Sequence, residues 1–135
     1  MIGGYVLDPS TIGDFGRDKA HAVEAVHTLD MAAQAIIIPM SAMAEALTRL
    51  ETPGQVEQAL FLLDLGVVVP DDLTRENTPS VATIHLAAEG DTTLGMAHTA
   101  LAARTRMAKV VTTAPGVWRS AHPDVAVAAL EDPSP

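Results

Sequence analysis

The sequence contains no cysteine, and only 3% of its 135 residues are aromatic. The lack of cysteine excludes disulfide scaffolds and metal sites built on thiolates. Because 48% of the residues are hydrophobic, the core has to be built mainly from Ala, Val, Leu, Ile and Met. Helices packed on a β-sheet suit such side chains, and the length fits one domain with a core of its own.

Basic residues are also scarce, since 8 Lys and Arg stand against 17 Asp and Glu and the formal net charge is −9. A surface with this charge repels phosphate backbones, so a broad nucleic-acid-binding face is excluded and any contact with nucleic acid must be local. The densest basic cluster is Arg104, Arg106 and Lys109. A solvated helix end, favoured by the helix dipole, explains this cluster better than a phosphate site.

Long hydrophobic runs are missing. The most apolar windows, residues 31–40 and 59–70, are interrupted by polar residues or proline and fall short of the roughly 20 residues of a membrane span. The N-terminus does not combine a charged leader with a long apolar segment, so no signal peptide is expected. We therefore expect a cytoplasmic protein without a membrane segment.

Short β-branched runs alternate with segments of helical periodicity along the chain. One strand is predicted to end just before Asp8, and four more are predicted at residues 35–39, 67–70, 109–113 and 125–127. Helices are predicted at residues 12–15, 18–34, 42–50, 55–65, 80–89, 94–107 and 117–121. Strands that alternate with helices imply a parallel sheet, because parallel strands need crossover connections. The prediction is one α/β domain over residues 1–130, a three-layer α/β/α arrangement with four or five parallel strands, and a flexible tail at 131–135.

Two carboxylates stand out from this pattern. Asp8 ends the first apolar run, and Glu45 is the only charged residue of segment 39–47, which follows the second predicted strand. Both would lie at the carboxyl edge of the sheet, where open α/β sheets bind ligands. Asp8 also fits an N-cap ahead of Pro9, and Glu45 fits a helix start favoured by the dipole, so each has a purely structural alternative.

If the two carboxylates meet, they need a cation or a shared proton. Two such charges about 4 Å apart repel by roughly 4 kcal/mol at an effective dielectric constant near 20. Mg²⁺ accepts one or two protein carboxylates and completes its octahedron with water and substrate phosphate. The pair is therefore a candidate for a weakly held Mg²⁺ or Mn²⁺ ion.

Four segments together resemble a known family, the PIN domains, and most closely the small VapC-like toxin ribonucleases. YVLDPS (residues 5–10) resembles the family's opening strand, with its first metal-binding Asp and the hydroxyl residue after it. PMSAMAEAL (39–47) resembles the segment that carries the family's Glu. MAHTALAAR (96–104) is similar to its Asp-Ala-His helix, and VVTTAP (110–115) is similar to its Val-Thr-Thr-Asp-Pro strand end. The resemblance covers nearly the whole chain and implies a PIN-like fold.

The resemblance also implies a chemistry. Family members are similar in using these acids to hold Mg²⁺ or Mn²⁺, which polarises the phosphate and generates hydroxide for RNA hydrolysis. The resemblance implies that Asp8 and Glu45 are the catalytic metal ligands and that Ser10 lies in the substrate pocket. Met96 and Ala114 stand where the family has its third and fourth acids. The implied site is therefore incomplete, and RNA cleavage is expected to be weakened or abolished.

Other polar residues are candidates to compensate. Asp91 precedes the predicted helix cap Thr93 and is a candidate metal ligand, and Asp14 follows Asp8 within two helical turns. Two further places are candidates for pocket residues. Thr113 and its neighbour Thr112 lie at the end of the fourth predicted strand, and His98 lies on the sixth predicted helix. Each has a simpler interpretation, as a turn residue, a solvated acid, a strand former or a satisfied histidine.

Two function hypotheses remain open. The first is a working or weakened PIN ribonuclease, a toxin that acts on RNA and is held by an antitoxin-like protein. The second is a catalytically inactive PIN-like module that binds a protein or RNA partner without cutting it. The missing acids favour the second hypothesis, and the pairing of Asp8 with Glu45 favours the first. Resemblance alone suggests a homodimer.

Overall fold

A computed structural model describes residues 3–131 as one α/β unit with a five-stranded sheet. All strand pairs are parallel, and the strand order is β3-β2-β1-β4-β5. The strands are β1 (Tyr5–Leu7), β2 (Ile36–Pro39), β3 (Val68–Asp71), β4 (Lys109–Thr112) and β5 (Val127–Ala129). The predicted fold class is confirmed, and the sheet has five strands, the larger of the two numbers predicted.

Seven α-helices connect these strands within the described residues. They are α1 (Pro9–Gly16), α2 (Ala20–Met31), α3 (Met40–Leu47), α4 (Pro53–Phe61), α5 (Thr78–Ala87), α6 (Leu94–Arg106) and α7 (Pro115–Ala121), and a short 3₁₀ turn (Leu62–Asp64) follows α4. Every predicted helix is present, with ends shifted by a few residues. The predicted tail lies outside the described residues, apart from its first residue at position 131.

Three of the shifts have a clear local cause. α1 begins before residue 12, at Pro9, because the side chain of Asp8 caps its first turn. α3 begins at Met40, before its predicted start at residue 42, because Pro39 has the extended backbone of an N-cap and leads directly into the helix. β5 pairs with β4 two residues later than predicted, after a turn that ends near Ala126.

The two faces of the sheet are covered by different helices. On one face the apolar side chains of the strands pack against α1 to α4; they are Leu7, Ile36, Ile38 and Val111. On the other face Val6, Ile37 and Val110 pack against α6 and α7, with α5 at the margin. Because successive side chains of a strand point to opposite faces, the unbroken apolar runs of the sequence supply both layers.

The strand order places a topological switch point between β1 and β4. The chain proceeds from β1 towards β2 and β3 on one side, whereas β4 leads to β5 on the other side. Ligands of open α/β sheets bind in the crevice outside the carboxyl ends of the strands at such a point. Asp8 follows β1 and Thr113 follows β4, so both lie beside this crevice. Within residues 3–131, no helix is long and apolar enough to cross a membrane.

Candidate functional site

Asp8 is buried at the switch point, with 2% of its surface exposed. Its Oδ1 atom accepts hydrogen bonds from the Thr11 backbone N–H at 2.9 Å and from the Ser10 hydroxyl at 2.7 Å. Its Oδ2 atom accepts a hydrogen bond from the indole N–H of Trp118 at 2.8 Å. The sequence predicted the N-cap as one alternative for Asp8, and the structure confirms that cap. Three donors therefore occupy both carboxylate oxygens.

Ser10 connects the ends of β1 and β4. Its hydroxyl donates to Asp8 and accepts a hydrogen bond from the Thr113 backbone N–H at 3.1 Å. The hydroxyl of Thr112 lies 3.4 Å from Ser10 and accepts from the backbone N–H of Ala114 at 2.9 Å. These hydroxyls satisfy the backbone where the chain turns out of β4. The hydrogen bonds of the Ser10 and Thr112 hydroxyls are therefore structural.

Glu45 reaches the same crevice from α3. Its Oε2 atom accepts from the Arg49 guanidinium at 2.8 Å, one turn along the helix. Its Oε1 atom accepts from the backbone N–H of Gly95, in the first turn of α6, at 3.2 Å. A Cβ atom at position 95 would lie 2.7 Å from Oε1 and 3.1 Å from the Cα atom of Ala42, so only glycine allows this close approach of α3 and α6.

A cavity of about 230 Å³ lies between these groups. It is lined by Asp8, Pro9, Ser10, Glu45, Arg49, Asp91, Thr92, Thr93, Met96, Ala114, Val117 and Trp118. The structure therefore brings together four of the residues that the sequence singled out: Asp8, Ser10, Glu45 and Asp91. Met96 and Ala114 also face this cavity and make its wall apolar where the resemblance expects acids.

Sequence reasoning missed four residues of this cavity wall: Arg49, Thr92, Val117 and Trp118. A signal existed for Arg49, because a Glu and an Arg four residues apart on a helix form an ion pair. The indole contact with Asp8 had no local signal. Asp8 and Trp118 are 110 positions apart in sequence, and only the packing of α7 brings them together.

His98 lies elsewhere and does not line the Asp8 cavity. The side chain of His98 is fully buried, and its Nδ1 atom lies 2.5 Å from the hydroxyl of Ser41. Its Nε2 atom lies 3.2 Å from a carboxylate oxygen of Asp71, but this second contact is not aligned as a hydrogen bond. Burial lowers the pKa of His98, and Asp71 only partly opposes this effect. His98 therefore fits a buried core histidine.

Asp14 is also remote from this cavity. Its carboxylate contacts His21 at 2.9 Å and Arg17 at 3.4 Å on the outer side of α1. The side chain of Thr113 is not among the cavity-lining groups, although its backbone N–H bonds to Ser10. Among the compensating candidates, the structure thus places only Asp91 at the cavity.

The cavity offers few ligands for a Mg²⁺ or Mn²⁺ ion. Asp8, Glu45 and Asp91 are the carboxylates that line it in the described part of the chain, and Asp8 already accepts three hydrogen bonds. No group of three His, Asp or Glu side chains within residues 3–131 is arranged to hold a metal. Asp8 and Glu45 as metal ligands stay a prediction from the resemblance.

The architecture is that of a PIN-like α/β/α domain, with five parallel strands between two helical layers. Eleven chains of solved structures match this chain. One belongs to the crystal structure of VapBC2 from Rickettsia felis bound to a DNA fragment from their promoter. It is 16% identical with a TM-score of 0.65, and the match covers 94% of this chain and 98% of that one. At this identity the likeness establishes the fold alone. No protein-family model and no curated protein matches the chain.

Proposed function

We propose that this chain is a PIN-like domain of the VapC-like ribonuclease type in which RNA cleavage is lost, and that it works by binding an antitoxin-like protein. The observation that carries the proposal is the state of Asp8. Its carboxylate is held by a helix N-terminus, a hydroxyl and an indole N–H. A carboxylate used in this way stabilises the fold, and of its two oxygens only Oδ2, which accepts a single hydrogen bond, keeps a lone pair for a metal.

The surface around the cavity supports a protein partner better than RNA. The net charge of −9 opposes binding to a phosphate backbone. The only cation at the cavity, within the described part of the chain, is Arg49, and Glu45 neutralises it. Val117 at the cavity and Leu94 beside Thr93 are exposed by 39% and 57%. Exposed apolar side chains around a cavity are typical of a protein-binding site.

The structural neighbour gives independent support for a protein partner. That structure is VapBC2, bound to a DNA fragment from its promoter. A chain with the same fold and without a free metal ligand set fits such a partnership as a binding component. A homodimer is proposed on resemblance; light scattering after size-exclusion chromatography is expected to give about twice the monomer mass of 14.1 kDa.

One observation favours a second candidate, a weakened metal-dependent ribonuclease. Asp8, Glu45 and Asp91 line the same cavity, so a rearrangement that frees their oxygens would give Mg²⁺ or Mn²⁺ a site there. The ion would then polarise a phosphate and activate water.

A cleavage assay distinguishes the two candidates. A mixed RNA pool is incubated with increasing Mn²⁺ or Mg²⁺, with the wild-type chain and with Asp8→Asn, a variant that keeps an oxygen for the cap of α1. We expect no metal-dependent cleavage by either protein. Cleavage by the wild type that disappears in Asp8→Asn would establish the ribonuclease and contradict the proposal.

The double variant Met96→Asp with Ala114→Asp completes the assay. Both positions line the cavity, so the change supplies two carboxylates without altering the strand order. A gain of metal-dependent cleavage is expected if the loss of ligands is the cause of inactivity.

For the partner, a tagged chain is compared with Val117→Glu in native purification from its own cells. A stoichiometric protein that is lost from the variant supports the binding role, and identical recovery argues against it.

A further inference from the structure

The helix α5 differs from the other six helices of residues 3–131, because it contains no Asp, Glu, Lys or Arg. Val81 is its buried residue, and Ile84 packs against the core layer that includes α6 and α7. Most of its other side chains are exposed. The outer side of a surface helix normally carries charged residues. An exposed helix without charge is therefore unusual in a chain with a net charge of −9.

Three apolar residues form a stripe along the outer side of α5. Pro79, Ala82 and Leu86 are spaced by three and four positions, so they share one side of the helix. All three are exposed, whereas Val81 and Ile84 lie on the opposite side. Leu86 is 83% exposed, the largest exposed fraction of any large hydrophobic residue in the described chain. Because Ala82 is small, a second helix can approach the centre of this α5 stripe closely.

The charge of the chain indicates what covers the α5 stripe. Two copies of a chain with a net charge of −9 repel each other over most of their surface. A face without acids is where two copies meet with the least repulsion. A basic partner, in contrast, is attracted by the acidic surface and gains no charge contact from an uncharged helix. The α5 stripe therefore suits a second copy of this chain.

Two charged residues at the ends of α5 support the same occupant. Arg75 precedes the helix and Glu89 follows it; both are exposed, and neither makes an ion pair or hydrogen bond within residues 3–131. In an antiparallel pair of α5 helices, Arg75 of one copy comes near the partner's Glu89, and a two-fold axis repeats this contact. The partner's Glu89 then also lies at the positive N-terminal end of α5, which opposes its repulsion by Glu76.

We propose that the α5 stripe is the interface between two copies of this chain, packed antiparallel about a two-fold axis with Leu86 of one copy against the partner's Pro79. The inference rests on the homodimer proposed above and names its interface. A helix of ten residues is only about 15 Å long. The interface is therefore small, and the dimer is expected to dissociate in the micromolar range.

The test measures the mass of the full chain by light scattering over a dilution series. The wild type is expected to fall from about twice 14.1 kDa to 14.1 kDa on dilution. Leu86→Glu places a carboxylate in the α5 stripe and should weaken the dimer by about tenfold or more. Met31→Glu is the matched control, because Met31 is 73% exposed at the end of α2, and this variant should dimerise like the wild type. Circular dichroism checks that both variants are folded.

A charge swap tests the antiparallel arrangement. Arg75→Glu and Glu89→Arg each replace an attraction across the two-fold axis by a repulsion, and each should raise the Kd of the dimer by about tenfold. The double variant restores the attraction and should come within about threefold of the wild type. The two single variants change the net charge in opposite directions, so a loss of dimer in both is not an effect of net charge.

The proposal is overturned if the wild type stays at 14.1 kDa at every concentration, or if Leu86→Glu dimerises like the wild type. A monomeric wild type that copurifies with another protein, lost from Leu86→Glu, would assign the α5 stripe to that protein and overturn it as well. Val117→Glu, at the Asp8 cavity, should dimerise like the wild type. A failure of the partner site proposed at that cavity is therefore distinguishable from a failure of the α5 interface.

Discussion

The hydrogen bond between Trp118 and Asp8 leads to a quantitative prediction about stability. The bond is 2.8 Å long and buried, and it joins α7 to the start of α1. Asp8→Asn keeps an oxygen for the cap but turns an amide N–H₂ group towards the indole donor. Because a buried donor without an acceptor costs about 1 to 3 kcal/mol, Asp8→Asn should lower the free energy of unfolding by about 2 kcal/mol.

The same change should be nearly harmless when the indole is absent. Trp118→Phe removes the N–H donor, so Asp8→Asn in that background should cost less than about 1 kcal/mol. The two substitutions are therefore expected to couple by about 1 to 2 kcal/mol. Urea denaturation followed by circular dichroism measures all four proteins of the cycle, since the fluorescence of Trp118 is lost in two of them.

A matched control uses another helix cap. Thr52 caps α4 on the exposed surface, and its hydroxyl accepts from the backbone N–H of Gln55 at 3.2 Å. Thr52→Ala should cost about 1 kcal/mol in both the wild-type and the Trp118→Phe background. Costs of Asp8→Asn that agree within about 0.5 kcal/mol in the two backgrounds would refute the structural role of this bond.

The same denaturation experiment tests metal binding. A ligand that binds only the folded state at 100 times its dissociation constant raises the free energy of unfolding by about 2.7 kcal/mol. Because Asp8 already accepts three hydrogen bonds, we expect no change with millimolar Mn²⁺. A rise of this size in the wild type that is absent in Asp8→Asn would restore Asp8 as a metal ligand.

Three further predictions concern other parts of the fold. Burial lowers the pKa of His98 below the unfolded value of 6.5, so its contribution to stability is full above pH 6.5 and falls below it, by up to about 1.4 kcal/mol per pH unit, as the unfolded chain takes up the proton. The slope of the urea midpoint against pH should therefore decrease in His98→Gln, and the slope that remains is assigned to His122, whose pKa burial also lowers. Gly95→Ala should lower the free energy of unfolding by about 1 to 3 kcal/mol, because the new Cβ atom would collide with the Glu45 carboxylate and the backbone of Ala42. Thermal unfolding measures this loss, with Gly54→Ala, where a Cβ atom has room, as the control. Thr93→Ala should cost about 1 kcal/mol in urea, because Thr93 caps α6.

The fold was predictable because its determinants are local. The run at residues 36–39 is buried on both faces, which is why unbroken β-branched residues identified a central strand. Thr93 was predicted as the cap of α6, and its hydroxyl does accept from the backbone N–H of Met96 at 3.1 Å. The start of α3 was less predictable, because Pro39 takes the N-cap position with an extended backbone and no side-chain cap hydrogen bond.

The prediction for His98 shows where local reasoning needs helix geometry. His98 follows Met96 by two residues, and each helical residue turns the direction by 100°. The two side chains therefore point about 200° apart, and only Met96 faces the Asp8 cavity. His98 points instead towards Ser41 and Asp71. This outcome was available from the sequence, whereas the contact of Asp8 with Trp118 was not, because it depends on how α7 packs.

The two interpretations of Asp8 differ in what they require of the residues around it. As a metal ligand, Asp8 needs further carboxylates within reach, and the positions that should supply them hold Met96 and Ala114. As a structural acceptor it needs only donors, and it has three, one of them from a tryptophan in the wall of the same cavity. The three hydrogen bonds therefore give Asp8 a structural role at the end of β1. The cleavage assay and the denaturation experiment with Mn²⁺ decide whether Asp8 has a catalytic role as well.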